Sequence, residues 1–153
     1  MGKTVVITGA GVGLGRAIAR RFASEGETCI LLGRTLSKVQ ALAEELGDPH
    51  FAVECDVGDA QSVRAAFAKI AERHPKIDVL INNAAYYEPG KARDVSDEVI
   101  ERIVRSNFIG PIYTCRAALH HQCQLRIGEG AVRDALALSV DKDGHGTLQR
   151  GPA

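Results

Sequence analysis

The sequence predicts an α/β chain in three layers, with helices on both faces of a parallel sheet. Four short apolar runs recur along it: Val5-Val6-Ile7, Cys29-Ile30-Leu31-Leu32, Phe51-Ala52-Val53 and Val79-Leu80-Ile81. None alternates with polar residues, so each reads as a strand that must be covered on both faces, the mark of a parallel sheet sandwiched between helices. Between the runs the apolar residues switch to a helical period. Leu14, Ile18 and Phe22 share one face while Arg16, Arg20 and Arg21 form a solvated one; Leu36, Val39, Leu42 and Leu46 repeat the pattern, as do Val63, Phe67 and Ile70. Strand alternating with helix implies βαβ units joined by right-handed crossovers.

A fourth helix is expected to open at Ser96, an N-cap residue followed by the acids Asp97 and Glu98, and to carry Val99, Ile100, Ile103 and Val104. It continues past Gly110-Pro111, with a kink there, to about His120. Residues 121–153 then lose the pattern. They hold one helix-like piece, Ala131 to Val140, and end in DKDGHGTLQRGPA, polar and glycine-rich. The expected organisation is a domain over residues 1–120 and an irregular tail over 121–153.

At 153 residues the chain is sized for one domain. Lysine plus arginine and aspartate plus glutamate both number 19, so no general polyanion-binding surface is indicated and nucleic acid is not an expected partner. No apolar run nears the ~20 residues that span a bilayer, and MGKTVVITG lacks the hydrophobic region of a signal peptide. Cys29, Cys55, Cys115 and Cys123 are scattered, two of them within apolar runs; they read as reduced thiols and point to a cytoplasmic protein.

The stretch TGAGVGLG, Thr8 to Gly15, stands between the first strand and the first helix. A strand running through a glycine-rich turn into a helix presents backbone N–H groups and the positive end of a helix dipole where a phosphate can sit. Glycine is needed because a Cβ would hold the phosphate away or clash in the turn. The spacing GxGxxG does not fit, since it demands glycine at Leu14 or Arg16; TGxxxGxG fits, with Thr8, Gly9, Gly13 and Gly15.

That variant resembles the short-chain dehydrogenase/reductase family, and further motifs agree in order. Asp56-Val57 after the third strand is similar to the family's adenine-contacting pair. Asn82-Asn83-Ala84-Ala85 after the fourth resembles its NNAG, with Ala85 in place of the glycine, and Asn107 in SNFIG is similar to its helical asparagine. The resemblance covers residues 3 to about 119. It implies a Rossmann-like sheet of strand order 3-2-1-4 with the later strands incomplete. It also implies a nicotinamide dinucleotide held by Gly9, Ala10, Gly11, Val12, Gly13, Leu14 and Gly15, by Asp56 and Val57, and by Asn83 and Ala84, with a small alcohol or carbonyl as substrate. Asn107 is the one catalytic candidate, with a purely structural role as its alternative.

An NAD site usually offers a carboxylate about 20 residues past the glycines to hold the adenosine ribose. Here the second strand ends Leu32-Gly33-Arg34-Thr35, without an acid. Gly33 leaves room and Arg34 can pair with a 2′-phosphate, so NADP is favoured and NAD is the alternative; a merely solvated Arg34 is the bland one.

The family's catalysis requires a serine on a fifth strand and a helical YxxxK behind it, the tyrosine moving a proton while hydride passes to or from the nicotinamide. The tyrosines are Tyr86, Tyr87 and Tyr113, and only Tyr87 has a lysine at the right offset, Lys91. Pro89-Gly90 between them opposes a helix, and the pair precedes Asn107 where the family's follows it, so YEPGK is expected to be a loop without a catalytic role. In the tail, Glu129 to Gly144 resembles the segment downstream of YxxxK, which aligns Leu125 with the tyrosine and Glu129 with the lysine. Ser139 falls within the helix-like piece and is not the family's serine. His120, His121, Cys115 and Cys123 match no standard zinc spacing, and no metal is expected. The chain therefore reads as a truncated or internally deleted oxidoreductase, as a non-catalytic NADP-binding module, or as an inactive truncated gene product, and is expected to self-associate through the fourth strand's edge.

Overall fold

A computed structural model describes residues 2–120 (of Ala92 the backbone alone) and the backbone of residues 139–140 and 146–147. Strand β1 (Thr4–Thr8) leads into α1 (Gly13–Ser24), β2 (Thr28–Gly33) into α2 (Leu36–Leu46), β3 (Phe51–Glu54) into α3 (Ala60–Arg73), and β4 (Val79–Ile81) into α4 (Asp97–Val104). The four strands form one parallel sheet in the order β3-β2-β1-β4, as expected. Each strand divides its side chains between two cores because successive residues point to opposite faces. Val6, Ile30, Leu32, Val53 and Leu80 pack against Val63, Phe67 and Ile70 of α3, whereas Val5, Ile7, Leu31 and Ile81 pack against Ala19 of α1 and Val39 and Leu42 of α2.

After α4 the chain makes a π-helical turn, Arg105–Ile109, and resumes as α5 (Gly110–Leu119). The irregularity precedes Pro111, which has no N–H for the helical ladder. Ala118 and the partly buried Tyr113 and Cys115 join the core that α3 covers. Ser96 is the N-cap residue of α4, but its side chain makes no cap hydrogen bond to a backbone N–H.

Several expectations need correction. Leu14 does not belong to the buried stripe of α1: it is 65% exposed, because the helix's first turn overhangs the end of the sheet. Leu36, in the first turn of α2, is likewise exposed, as are Ile100 and Val104 of α4. Arg16 and Arg20 are not simply solvated; both pair with Glu45 of α2, at 3.3 and 2.7 Å, and tie the two helices together. Ser139–Val140 is extended, forming a two-stranded antiparallel ladder (β5) with Gly146–Thr147 (β6), where a helix was expected. Val140 is β-branched, and Asp143-Gly144 between the segments is turn-forming, so local preference already opposed a helix there. His121, Cys123, Leu125, Glu129 and most of the helix-like piece lie outside the described residues.

Burial pushes the Cys29 thiol up to about 11 and Cys55 to about 12, so neither is a reactive thiolate. No described helix is long and apolar enough to cross a membrane. His50 is one acid-sensitive point of the fold. Its Nδ1 accepts the Cys29 N–H at 3.0 Å, and burial lowers its pKa below 6.5. Folding therefore favours the neutral ring, and its stabilisation is complete above pH 6.5 and declines as pH falls toward the lowered folded value. Melting temperatures at pH 7.5 and 5 should differ more in the unsubstituted protein than in His50→Gln, whose carbonyl can still accept; equal differences would remove His50 from the acid response.

Candidate functional site

The glycine-rich turn lies where β1 ends and α1 begins, and its glycines have separate duties. Gly9 (φ +66°) and Gly13 (φ +53°) are left-handed and allow the turn. Gly15 permits contact: a Cβ there would stand 2.3 Å from the Gly9 carbonyl oxygen and 2.5 Å from Asn83 Nδ2. Helix α1 starts after Val12 with no side-chain cap and no acid in its first turn. Its leading N–H groups and dipole thus face the turn without a side-chain anion of the protein's own.

Thr8 joins this turn to β4. Its hydroxyl, in a residue only 1% exposed, accepts the backbone N–H groups of Asn83 and Ala84, each at 3.0 Å, and donates to the Ile81 carbonyl at 3.4 Å. The Asn83 amide donates to the carbonyls of Thr8 (3.1 Å) and Gly9 (3.2 Å). Asn82 turns the other way, accepting from Thr114 Oγ1 at 2.6 Å and donating to Cys115 Sγ at 3.4 Å on α5. The two asparagines therefore lock the end of β4 to the glycine turn on one side and to α5 on the other. Thr8→Val keeps the shape but strips two part-buried N–H groups of their acceptor, and should cost about 2–3 kcal/mol in urea unfolding. A change below about 0.5 kcal/mol would show that the brace is dispensable.

A cleft of about 390 Å³ opens over the turn, lined by Gly9, Gly11, Val12, Gly13 and Leu14, by Gly33, Arg34, Thr35, Lys38 and Val39, by Cys55 and Val57, and by Asn83, Ala84, Ala85 and Ser106. That volume suits a drug-sized ligand. Of the residues expected to hold a dinucleotide, Ala10 and Gly15 are buried behind the wall, and the Ala10 N–H donates to the Leu32 carbonyl at 3.1 Å. Asp56 borders an adjoining cavity with Arg34, Glu54, Ser62 and Lys69, and its carboxylate accepts the Gly58 N–H at 2.9 Å. Arg34 stands between the two cavities. Thr35, Lys38 and Ser106 escaped the sequence reading; for Lys38 the available signal was its place one turn beyond Arg34.

Asn107 sits in the π-turn, and its side chain grips the loop after β4. It accepts the Tyr86 N–H at 2.7 Å and donates to the Tyr86 carbonyl at 2.9 Å. Three residues on, Gly110 lets α5 approach the third crossover, since a Cβ there would lie 2.9 Å from Val57 Cγ2. Residues 82–91 contain no helix, so Tyr87 and Lys91 are not on one helical face, and Tyr87 is 80% exposed. The Tyr86 hydroxyl donates to Glu88, whose carboxylate pushes the phenol pKa up. No group of three His, Cys, Asp or Glu side chains among the described residues is placed to hold a metal.

Residues 3–131 match the protein family described as short chain dehydrogenase. The chain belongs to that family. Among curated relatives, it is 38% identical over 130 residues to oxidoreductase UcpA of Salmonella typhimurium, covering 83% of this chain and 49% of the relative. With dehydrogenase/reductase SDR family member 7C of Xenopus tropicalis the identity is 36% over 135 residues, covering 83% and 43%. A crystal structure of 3-ketoacyl-(acyl-carrier-protein) reductase from Brucella melitensis, complexed with NADH, superposes with a TM-score of 0.74 at 33% identity, over 78% of this chain and 50% of that one. The chain thus spans about half the length of these short-chain dehydrogenase relatives. Its uncapped helix start and open glycine turn fit the family's nicotinamide dinucleotide.

Proposed function

We propose that this chain binds NADP(H) in preference to NAD(H), as the cofactor half of a cytoplasmic oxidoreductase acting on a small alcohol or carbonyl. The carrying observation is Arg34, which borders the dinucleotide cleft immediately after Gly33, where an NAD site would offer an acid. Gly33 has its own packing reason, since a Cβ there would lie 2.9 Å from Val39 Cγ1. The glycine turn would hold the pyrophosphate, Val57 would pack on the adenine with Asp56 beside it, and Asn83 and Ala84 would bound the nicotinamide end. When bound, the cofactor supplies or accepts the hydride. Asn107 positions the Tyr86 segment and keeps its place as the catalytic candidate only through that loop.

Non-catalytic NADP(H) binding is the second reading, favoured by the non-helical YEPGK segment. Titration of NADPH fluorescence followed by turnover on a panel of carbonyl compounds separates the two: saturation with turnover supports the enzyme, saturation alone supports the binding module, and the absence of both saturation and turnover overturns both. NADPH should bind more tightly than NADH, and Arg34→Asp should remove or invert the preference by about 1–3 kcal/mol. Equal affinities in the unsubstituted protein would sink the NADP assignment.

A further inference from the structure

We propose that Arg102 is a positioning residue of the cofactor site: acting through Tyr86, it holds in place the wall that bounds the nicotinamide end of the cleft. The inference rests on the dinucleotide reading above, from which it takes the assignment of Asn83 and Ala84 to that end. Ala84 and Ala85 line the cleft just after β4, and Tyr86 is the next residue along the chain. Residues 82–89 have no helix or strand ladder of their own, so side-chain contacts decide how firmly they are held. What fixes Tyr86 therefore fixes the wall.

Tyr86 is gripped at two levels. The Asn107 side chain holds its backbone N–H and carbonyl, at 2.7 and 2.9 Å, while the Arg102 guanidinium lies over its ring, 4.1 Å from the centroid. That separation is well inside the reach of a cation–π contact. The helix is built to deliver both groups. Arg102 and Asn107 stand five residues apart, and in an α-helix such a pair diverges by about 140°. The i→i+5 turn at Arg105–Ile109 brings residues five apart toward one face, so a single stretch of chain presents a cation to the ring and an amide to the backbone of the same tyrosine.

The same turn places buried Ser106 in the lining of the cleft. Ser106 on one wall and Ala84-Ala85 on the other are thus fastened to each other through the neighbouring residues Asn107 and Tyr86. Asn107 fixes the backbone of this clasp and Arg102 fixes its side chain. The far end of the cleft, at Gly33 and Arg34, owes nothing to the clasp. Loss of Arg102 should therefore be felt by the nicotinamide half of a dinucleotide and not by its adenosine half.

The test measures two ligands on the full chain: NADPH by fluorescence, and adenosine 2′,5′-bisphosphate, which lacks the nicotinamide, by calorimetry. Arg102→Ala should weaken NADPH about three- to fivefold and lower the emission of the bound nicotinamide, while the bisphosphate stays within about twofold of its affinity for the unsubstituted protein. Arg102→Lys keeps a cation for the ring and should recover most of the loss. Tyr86→Leu should reproduce Arg102→Ala, and the double variant should lose no more than either single one, because both break one contact. Unchanged NADPH affinity and emission in Arg102→Ala, or additive losses in the double variant, would refute the role of Arg102 and leave the dinucleotide reading standing. Equal weakening of NADPH and the bisphosphate also refutes it, since Arg102 would then support the fold at large. If the unsubstituted protein binds neither ligand, the dinucleotide reading fails and this inference with it.

Discussion

Gly15→Ala should destabilise the protein by about 3 kcal/mol or more and abolish measurable dinucleotide binding. The added methyl would stand 2.3 Å from the Gly9 carbonyl oxygen and 2.9 Å from the Gly9 carbonyl carbon, so backbone must move. A flexible side chain could swing aside at little cost. The Gly9 carbonyl has no such freedom, because it accepts the Asn83 amide at 3.2 Å and its neighbour Thr8 is braced against β4. Separating α1 from the turn would therefore disturb both the proposed phosphate seat and the link to β4. Gly13→Ala is the informative contrast. Its φ of +53° imposes a left-handed penalty of about 1–2 kcal/mol, but nothing lies within 4 Å of the new methyl. Urea unfolding of the two variants should rank Gly15→Ala well below Gly13→Ala; equal losses would mean that backbone conformation, not close contact, is what glycine supplies at position 15.

The isolated protein should also self-associate, through the open side of β4. Val79, Leu80 and Ile81 are buried and paired to β1 on one side, and among the described residues no strand pairs with the other. Unpaired backbone N–H and C=O groups beside apolar side chains recruit another chain's strand. Sedimentation velocity over a hundredfold concentration range, with and without NADPH, should show concentration-dependent growth in both conditions. Cofactor at 100 times its dissociation constant adds about 2.7 kcal/mol to the folded state without covering the edge. A second adhesive surface is present in Ile100, Val104, Phe108 and Ile112, all exposed on α4, the π-turn and α5. Phe108→Lys separates the two causes: association that persists belongs to the β4 edge, and association that disappears belongs to the helices. A stable monomer throughout would show that residues 121–153 complete the sheet and would reopen the case for a working catalytic site.

What the sequence determined by itself was the sheet and the glycine-rich turn that follows its first strand. Both follow from patterns repeated within a few residues: unbroken apolar runs that must be covered on two faces, helical stripes such as Val63, Phe67 and Ile70, and the Thr8-to-Gly15 turn. Such signals are local, and each element can be read without knowing its neighbours. Leu14 and Leu36 misled for the same reason, because periodicity says which residues share a helix face but not where the sheet beneath that face ends. Only the tertiary structure decided that Arg16 and Arg20 meet Glu45, that Thr8 and Asn83 brace one another, and that Asn107 holds the Tyr86 backbone. The division of labour among the glycines is equally invisible in one dimension. Gly13 faces open space and Gly15 faces a carbonyl, yet they stand two residues apart in the same motif. Contacts between residues distant in the chain depend on how the layers stack, and that stacking is set by packing two cores at once, which no local pattern encodes.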